Sequence, residues 1–174
     1  KGLGPGPVGL FVGRLAAEKG VDVLLDAYSR VVAETGRKPN LVIVGRGDLR
    51  DMVDKRVRGA GWSSVLVEGF VEPARVAEYY AASDFLLLPS LHEPFGAVVQ
   101  EGLAAGLPAV VSSAVGAAAD LVVEGETGFV VEAGDSVALA RRMAALWNDP
   151  GLCDAMRSEC RDMAYKFDHR HGEE

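Results

Sequence analysis

Cysteine is scarce in this chain. Cys153 and Cys160 are the only two, seven residues apart on a predicted helix where they can share a face. Thiols in that arrangement read as reduced and packed, and nothing suggests an oxidising compartment. No apolar run approaches the ~20 residues of a membrane span, and no signal peptide is visible, so a cytoplasmic chain is expected. Cations are outnumbered by acids, giving a net charge of −7. That balance argues against nucleic acid or an acidic membrane surface as a general partner. No Asp, Glu or His cluster has metal-ligand spacing, and an Asp-x-Asp pair is missing. So is the Gly-x-Gly-x-x-Gly that a nicotinamide dehydrogenase needs directly after its first strand; Phe11-Val12-Gly13-Arg14-Leu15-Ala16-Ala17 does not supply it. There is no internal repeat and no low-complexity tract.

What is present is enough for one domain. A chain of 174 residues with 49% hydrophobic content can bury a full core. Six apolar runs read as strands: Val8–Val12, Leu41–Val44, Val65–Val67, Phe85–Leu88, Ala109–Val111 and Gly128–Val131. Helical segments are predicted over Gly20–Glu34, Asp48–Gly59, Ala74–Ala82, Ala97–Ala105, Ala117–Val123, Val137–Asn148 and Gly151–Ala164. Val23, Leu24, Ala27, Tyr28 and Val31 form the clearest apolar stripe. Strands that are apolar on both faces belong in a parallel sheet between helix layers. Right-handed crossovers make it a doubly wound, six-stranded Rossmann-like α/β domain, whose ligand site lies past the carboxyl ends of the strands. The domain is expected over residues 8–167, with a tail at 168–174 and a linker at 1–7. Lys1-Gly2-Leu3-Gly4-Pro5-Gly6-Pro7, with no initiator Met, reads as a cut through a linker.

The most informative stretch is Ser90-Leu91-His92-Glu93-Pro94-Phe95-Gly96-Ala97-Val98-Val99-Gln100-Glu101. A buried strand precedes it, and a helix is predicted to follow with Pro94 near its first position, where a missing N–H costs nothing. Eight residues at about 100° each return a side chain to within about 80° of its starting direction, so Glu93 and Glu101 can border one cleft. The free N–H groups of Phe95, Gly96 and Ala97 between them form a ready anion site. Carboxylates for hydroxyls beside backbone donors for phosphate suit a sugar nucleotide.

Other post-strand corners carry polar or glycine clusters. In Gly13-Arg14-Leu15-Ala16-Ala17-Glu18-Lys19-Gly20, the glycine permits a tight turn. Arg14 offers a planar fork for phosphate oxygens and Lys19 a mobile point charge. Taken alone, both cations also read as ordinary exposed residues at a helix start. Gly45-Arg46-Gly47-Asp48 reads as a tight strand-to-helix turn. His92 is a neighbour of the site rather than a proposed acid or base. His169 and His171 have the wrong spacing for one helical face. Trp62 and Trp147 read as packing residues.

Several of these segments together resemble the GT-B-fold retaining glycosyltransferases, family 4 (glycosyl transferases group 1), over Phe11 to about Phe167. Glu93-Pro94-Phe95-Gly96 and Glu101-Gly102 resemble that family's Glu-x7-Glu motif, and Gly13-Arg14-Leu15-Ala16-Ala17-Glu18-Lys19-Gly20 its Gly-Arg-Leu-x-x-Glu-Lys-Gly. The resemblance implies that this is a carboxyl-terminal, donor-binding half, with an amino-terminal acceptor-binding half as its partner. It implies a UDP-, GDP- or ADP-sugar donor, transfer with retention, no metal and no cofactor. Arg14 and Lys19 would bind the donor diphosphate. Glu93 would hold sugar hydroxyls, Glu101 the ribose, and the Pro94–Ala97 segment the phosphate. Gly69-Phe70-Val71-Glu72-Pro73 resembles the segment whose main chain pairs with the base around Val71; the side chains of Phe70 and Val71 read equally as core contacts. Gly125-Glu126-Thr127-Gly128 matches a structural turn. Ser113–Asp120 departs from the usual Gly-Gly-x-Pro-Glu: Gly116 remains, while Ala117, Ala119 and Asp120 replace the second Gly, the Pro and the Glu, so a shortened cap of the following helix is expected, with no donor contact removed. The alternatives are a stand-alone nucleotide-sugar-binding module and a nucleotide-sugar epimerase of the same architecture. Arg14, Lys19, Glu93 and Glu101 are expected to converge on one polar cleft.

Overall fold

Three of the six strands bury every residue. β1 (Val8–Val12), β2 (Asn40–Val44), β3 (Val65–Glu68), β4 (Phe85–Leu88), β5 (Ala109–Ser112) and β6 (Gly128–Val131) form one sheet in the order β3-β2-β1-β4-β5-β6. All five pairings are parallel. β2, β4 and β5 are buried throughout, whereas the edge strands β3 and β6 are partly open. Each side chain of the Phe85–Leu88 run, wholly out of water, contributes roughly 1.5–3 kcal/mol relative to exposure. The computed structural model describes residues 3–171.

Between the strands lie α1 (Val21–Thr35), α2 (Arg50–Gly59), α3 (Pro73–Ala81), α4 (Ala97–Ala104) and α5 (Ala118–Leu121), and after them α6 (Ser136–Asn148) and α7 (Pro150–His171). α1 packs on α6 and α2, while α4 packs on α7 and α5, so helices cover both faces of the sheet. This is the doubly wound Rossmann-like architecture that continuous apolar strands demand. The predicted aromatic packing is present. Tyr28 meets Trp62 and Trp147 edge-on at centroid distances of 4.8 and 5.8 Å, and Trp147 Nε1 donates to the Asn40 carbonyl at 3.0 Å.

Boundaries shift where long-range contacts intervene. Residues 1–7, expected as a linker, are fixed at Gly4 and Gly6 by the Asn40 side chain, which donates to both carbonyls and accepts from the Gly4 N–H. The last helix reaches His171 rather than stopping at Ala164, and so enters the expected 168–174 tail. The side chains of His169 and His171 lie outside the described residues. α5 has only four residues, and its N-cap Ala117 gives no side-chain hydrogen bond. Alanine has no side-chain oxygen to offer the first N–H groups of the helix. Cys153 and Cys160 are free and buried on one face of α7, donating to the Leu146 and Thr127 carbonyls. Burial pushes the Cys153 thiol up to about 11 and Cys160 to about 12, as expected of inert packed thiols. Among the described residues no helix is long and apolar enough to cross a membrane.

Candidate functional site

Because all strands run in one direction, every post-strand corner lies at the same edge of the sheet. Strand order reverses between β1 and β4, where the chain leaves in opposite directions and opens a crevice. The loops after these two strands are stitched together there. The Glu18 carbonyl accepts from the N–H groups of both Leu91 and His92, at 2.8 and 3.1 Å. The neighbouring corner is drawn in as well: Gly13 N–H donates to Val44 and Leu15 N–H to Arg46.

This stitching brings Lys19 to Glu93, 74 positions along the chain, and the two form an ion pair. Only 18% of the lysine side chain and 15% of the glutamate side chain are exposed, so the pair is partly desolvated. Arg14 pairs instead with Glu18 and leaves 71% of its side chain in solvent. Both cations expected to bind the diphosphate therefore already have a carboxylate partner within the protein.

α4 starts at Ala97, as the predicted Ala97–Ala105 segment does, but Pro94 lies further from that start than expected. Pro94 is not at the first helical position. Gly96, at a φ of +82°, is the N-cap, and the helix begins at Ala97. Of the three N–H groups expected at the helix start, Ala97 alone contributes one from within the helix. The reason is tertiary. The 93–95 segment runs beside 115–117: Glu93 N–H donates to Ala114, Gly116 N–H to Glu93, and Ala117 N–H to Phe95. A side chain at Gly116 would have its Cβ 1.9 Å from the Pro94 carbonyl oxygen, so this close approach requires glycine. α4 has no side-chain cap, which leaves its first N–H groups facing the edge. Pro94, Phe95, Gly96 and Ala97 line a cavity of about 350 Å³ with Gly116, Asp120 and Phe167. Phe95 itself is 82% exposed.

A second cavity, of about 510 Å³, opens between α3 and α4 at the end of β1. Val12, Val71, Val76, Ala77 and Ala105 give it apolar walls, and Glu101 stands at its rim. The Tyr80 hydroxyl donates to Glu101 Oε2 at 2.7 Å. Burial, and then the adjacent carboxylate, raise the Tyr80 pKa well beyond the usual phenol range, so it remains a donor at any working pH. Phe70 does not line this cavity: it is exposed, with the Arg46 guanidinium 4.7 Å above its ring. Arg14, Lys19 and Glu93 come from the edge loops and Glu101 from just over one turn into α4; Glu101 lines the α3–α4 cavity and Glu93 a separate depression. His92 is exposed and lines a shallow depression with Glu93 and Val115.

The glycosyl transferases group 1 family matches residues 4–166. The chain belongs to that family. A D-inositol 3-phosphate glycosyltransferase of Xylanimonas cellulosilytica is 32% identical over 166 residues, which cover 92% of this chain and 39% of that protein. An alpha-D-kanosaminyltransferase of Streptomyces kanamyceticus is 31% identical over 156 residues, covering 89% and 40%. Anabaena HepE in complex with UDP superposes with a TM-score of 0.79 at 27% identity, over 91% of this chain and 44% of that one. The C-terminal domain of LpcC, a group 1 family protein of Francisella tularensis, gives a TM-score of 0.82 at 22% identity and matches 86% of that chain, a likeness of fold alone. This chain spans under half the length of the curated relatives it matches.

Two residues of this glycosyltransferase domain escaped sequence reasoning. Tyr80 reads as one more apolar-face residue of a helix, and no spacing rule links it to Glu101. Ser90 is fully buried with an unpartnered Oγ, an uncommon state for a hydroxyl, while its carbonyl accepts from Ser112. No local pattern separates it from an ordinary polar residue after a strand.

Proposed function

We propose that this domain is the donor-nucleotide half of a retaining, metal-independent family 4 glycosyltransferase of the GT-B type, acting on a UDP-, GDP- or ADP-sugar. The observation that carries the reading is the Lys19–Glu93 pair in the β1–β4 crevice, beside the uncapped start of α4. Breaking a sugar–phosphate bond puts negative charge on the leaving diphosphate and positive charge on the anomeric carbon. Lys19, Arg14 and the first N–H groups of α4 would stabilise the leaving group, the task a metal performs in other sites. Glu93 would accept from sugar hydroxyls and orient the anomeric face. The α3–α4 cavity, with Val71 in its wall, suits a nucleobase, and Glu101 at its rim suits ribose hydroxyls. The UDP held by Anabaena HepE supports the nucleotide reading by analogy.

Acceptor contacts come from a second, amino-terminal half. The domain by itself therefore binds donor without transferring sugar, because catalysis needs both reactants held in near-attack geometry. Titration of the 174-residue chain with UDP, GDP, ADP and their sugar conjugates, by calorimetry with and without a chelator, tests this reading. One diphosphate is expected to bind, unaffected by the chelator. No binding by any of them, or sugar transfer to an acceptor by the chain alone, overturns it.

A further inference from the structure

Glu101 faces solvent on α4, where a glutamate samples several rotamers and loses that freedom whenever a ligand requires one of them. The Tyr80 hydroxyl changes the situation. Tyr80 is 5% exposed at the end of α3, and its oxygen lies 2.7 Å from Glu101 Oε2. The exposed carboxylate is thereby tied to a buried donor on a neighbouring helix. The bond joins the two helices that wall the apolar cavity and sets Glu101 at its rim.

We propose that Tyr80 is a positioning residue for nucleotide recognition: it holds Glu101 with one oxygen engaged and the other free, so that the carboxylate meets the ribose hydroxyls already oriented. The proposal rests on the reading of Glu101 as the ribose ligand and adds the group that pre-organises it. Oε2 uses a lone pair on the phenol, which leaves Oε1 to accept from the ribose. A hydrogen bond to a charged acceptor is stronger than a neutral one and so suits the purpose. The buried phenol stays protonated while ligand binds, and so remains a donor to Glu101. Nucleosides lacking ribose hydroxyls gain nothing from the arrangement, and a ribose-specific loss is therefore its signature.

The test uses whichever of UDP, GDP and ADP binds most tightly, together with its 2′,3′-dideoxy form, titrated into wild type, Tyr80→Phe and Glu101→Gln. Phenylalanine keeps the ring in its place, and thermal melting checks that the fold persists. Wild type should prefer the ribonucleotide. Tyr80→Phe should weaken ribonucleotide binding about tenfold and leave the dideoxy form unchanged. Combined with Glu101→Gln, it should add little further loss, because both substitutions remove one device. If wild type and Glu101→Gln differ in ribose preference while Tyr80→Phe retains the full preference, or loses both ligands equally, Tyr80 is a packing residue and the proposal fails alone. If wild type does not distinguish the two nucleotides, the ribose assignment of Glu101 fails and the role of Tyr80 falls with it.

Discussion

In the β1–β4 crevice Lys19 and Arg14 each already hold an opposite charge, whereas in the groove between α3 and α4 the lone carboxylate, Glu101, holds a neutral phenol. The two regions sit at the same edge of one sheet yet are prepared for ligands in different ways. Apolar walls need no partner before a ligand arrives, so the groove stands open at about 510 Å³. Charges do need one: a partly buried lysine without an anion is penalised by desolvation, and Glu93 relieves that penalty. An incoming anion must therefore compete for Lys19, while an incoming base only displaces water.

Three substitutions separate the halves. The largest effect is expected from Lys19→Ala, which removes the cation of the crevice and leaves the groove untouched. Nucleoside diphosphate should bind about 10- to 150-fold more weakly, since charge-assisted contacts are worth roughly 1.5–3 kcal/mol, while nucleoside affinity holds. Calorimetry with both ligands reads this directly, and equal losses would erase the distinction between the two regions. Ala77→Trp acts on the other side. Ala77 is exposed on the wall of the groove, so an indole there fills space without disturbing the core. A loss of about tenfold is expected for diphosphate and nucleoside alike, with an unchanged melting temperature. A loss confined to the diphosphate would mean that the base lies elsewhere.

The smallest effect, and the most diagnostic, belongs to Glu93→Gln. Removing the competing carboxylate frees Lys19, so a nucleoside diphosphate without sugar should bind about fivefold more tightly, the scale of roughly 1 kcal/mol for a partly exposed pair. The gain should shrink at high ionic strength, where screening weakens the lysine's attraction for either anion. Weaker binding would show that Glu93 supports the diphosphate site instead of occupying its cation.

The strands and most helices were legible because their signals are local. A run such as Phe85-Leu86-Leu87-Leu88 can only be buried on both faces, and the stripe through Leu24, Ala27, Tyr28 and Val31 turns inward at the helical period. The register at Glu93 was not legible. The helix start at Ala97 was read correctly, but Pro94, which carries a helix-start signal, stands before it in a segment held by backbone hydrogen bonds to residues some twenty positions away. A local preference yields there to a long-range ladder.

By itself, then, the sequence determined six strands, a parallel doubly wound sheet and the corners from which polar groups emerge, because burial patterns repeat at fixed short periods. It also supplied Arg14, Lys19, Glu93 and Glu101 as candidates, through residue types whose chemistry suits phosphate and hydroxyls. Which of them meet was decided by the tertiary structure alone. Lys19 reaches Glu93 because β1 and β4 lie side by side at the reversal of strand order, and Glu101 meets Tyr80 because α3 and α4 share a groove. Pairings between residues 74 and 21 positions apart depend on how whole elements pack, and no local period encodes them.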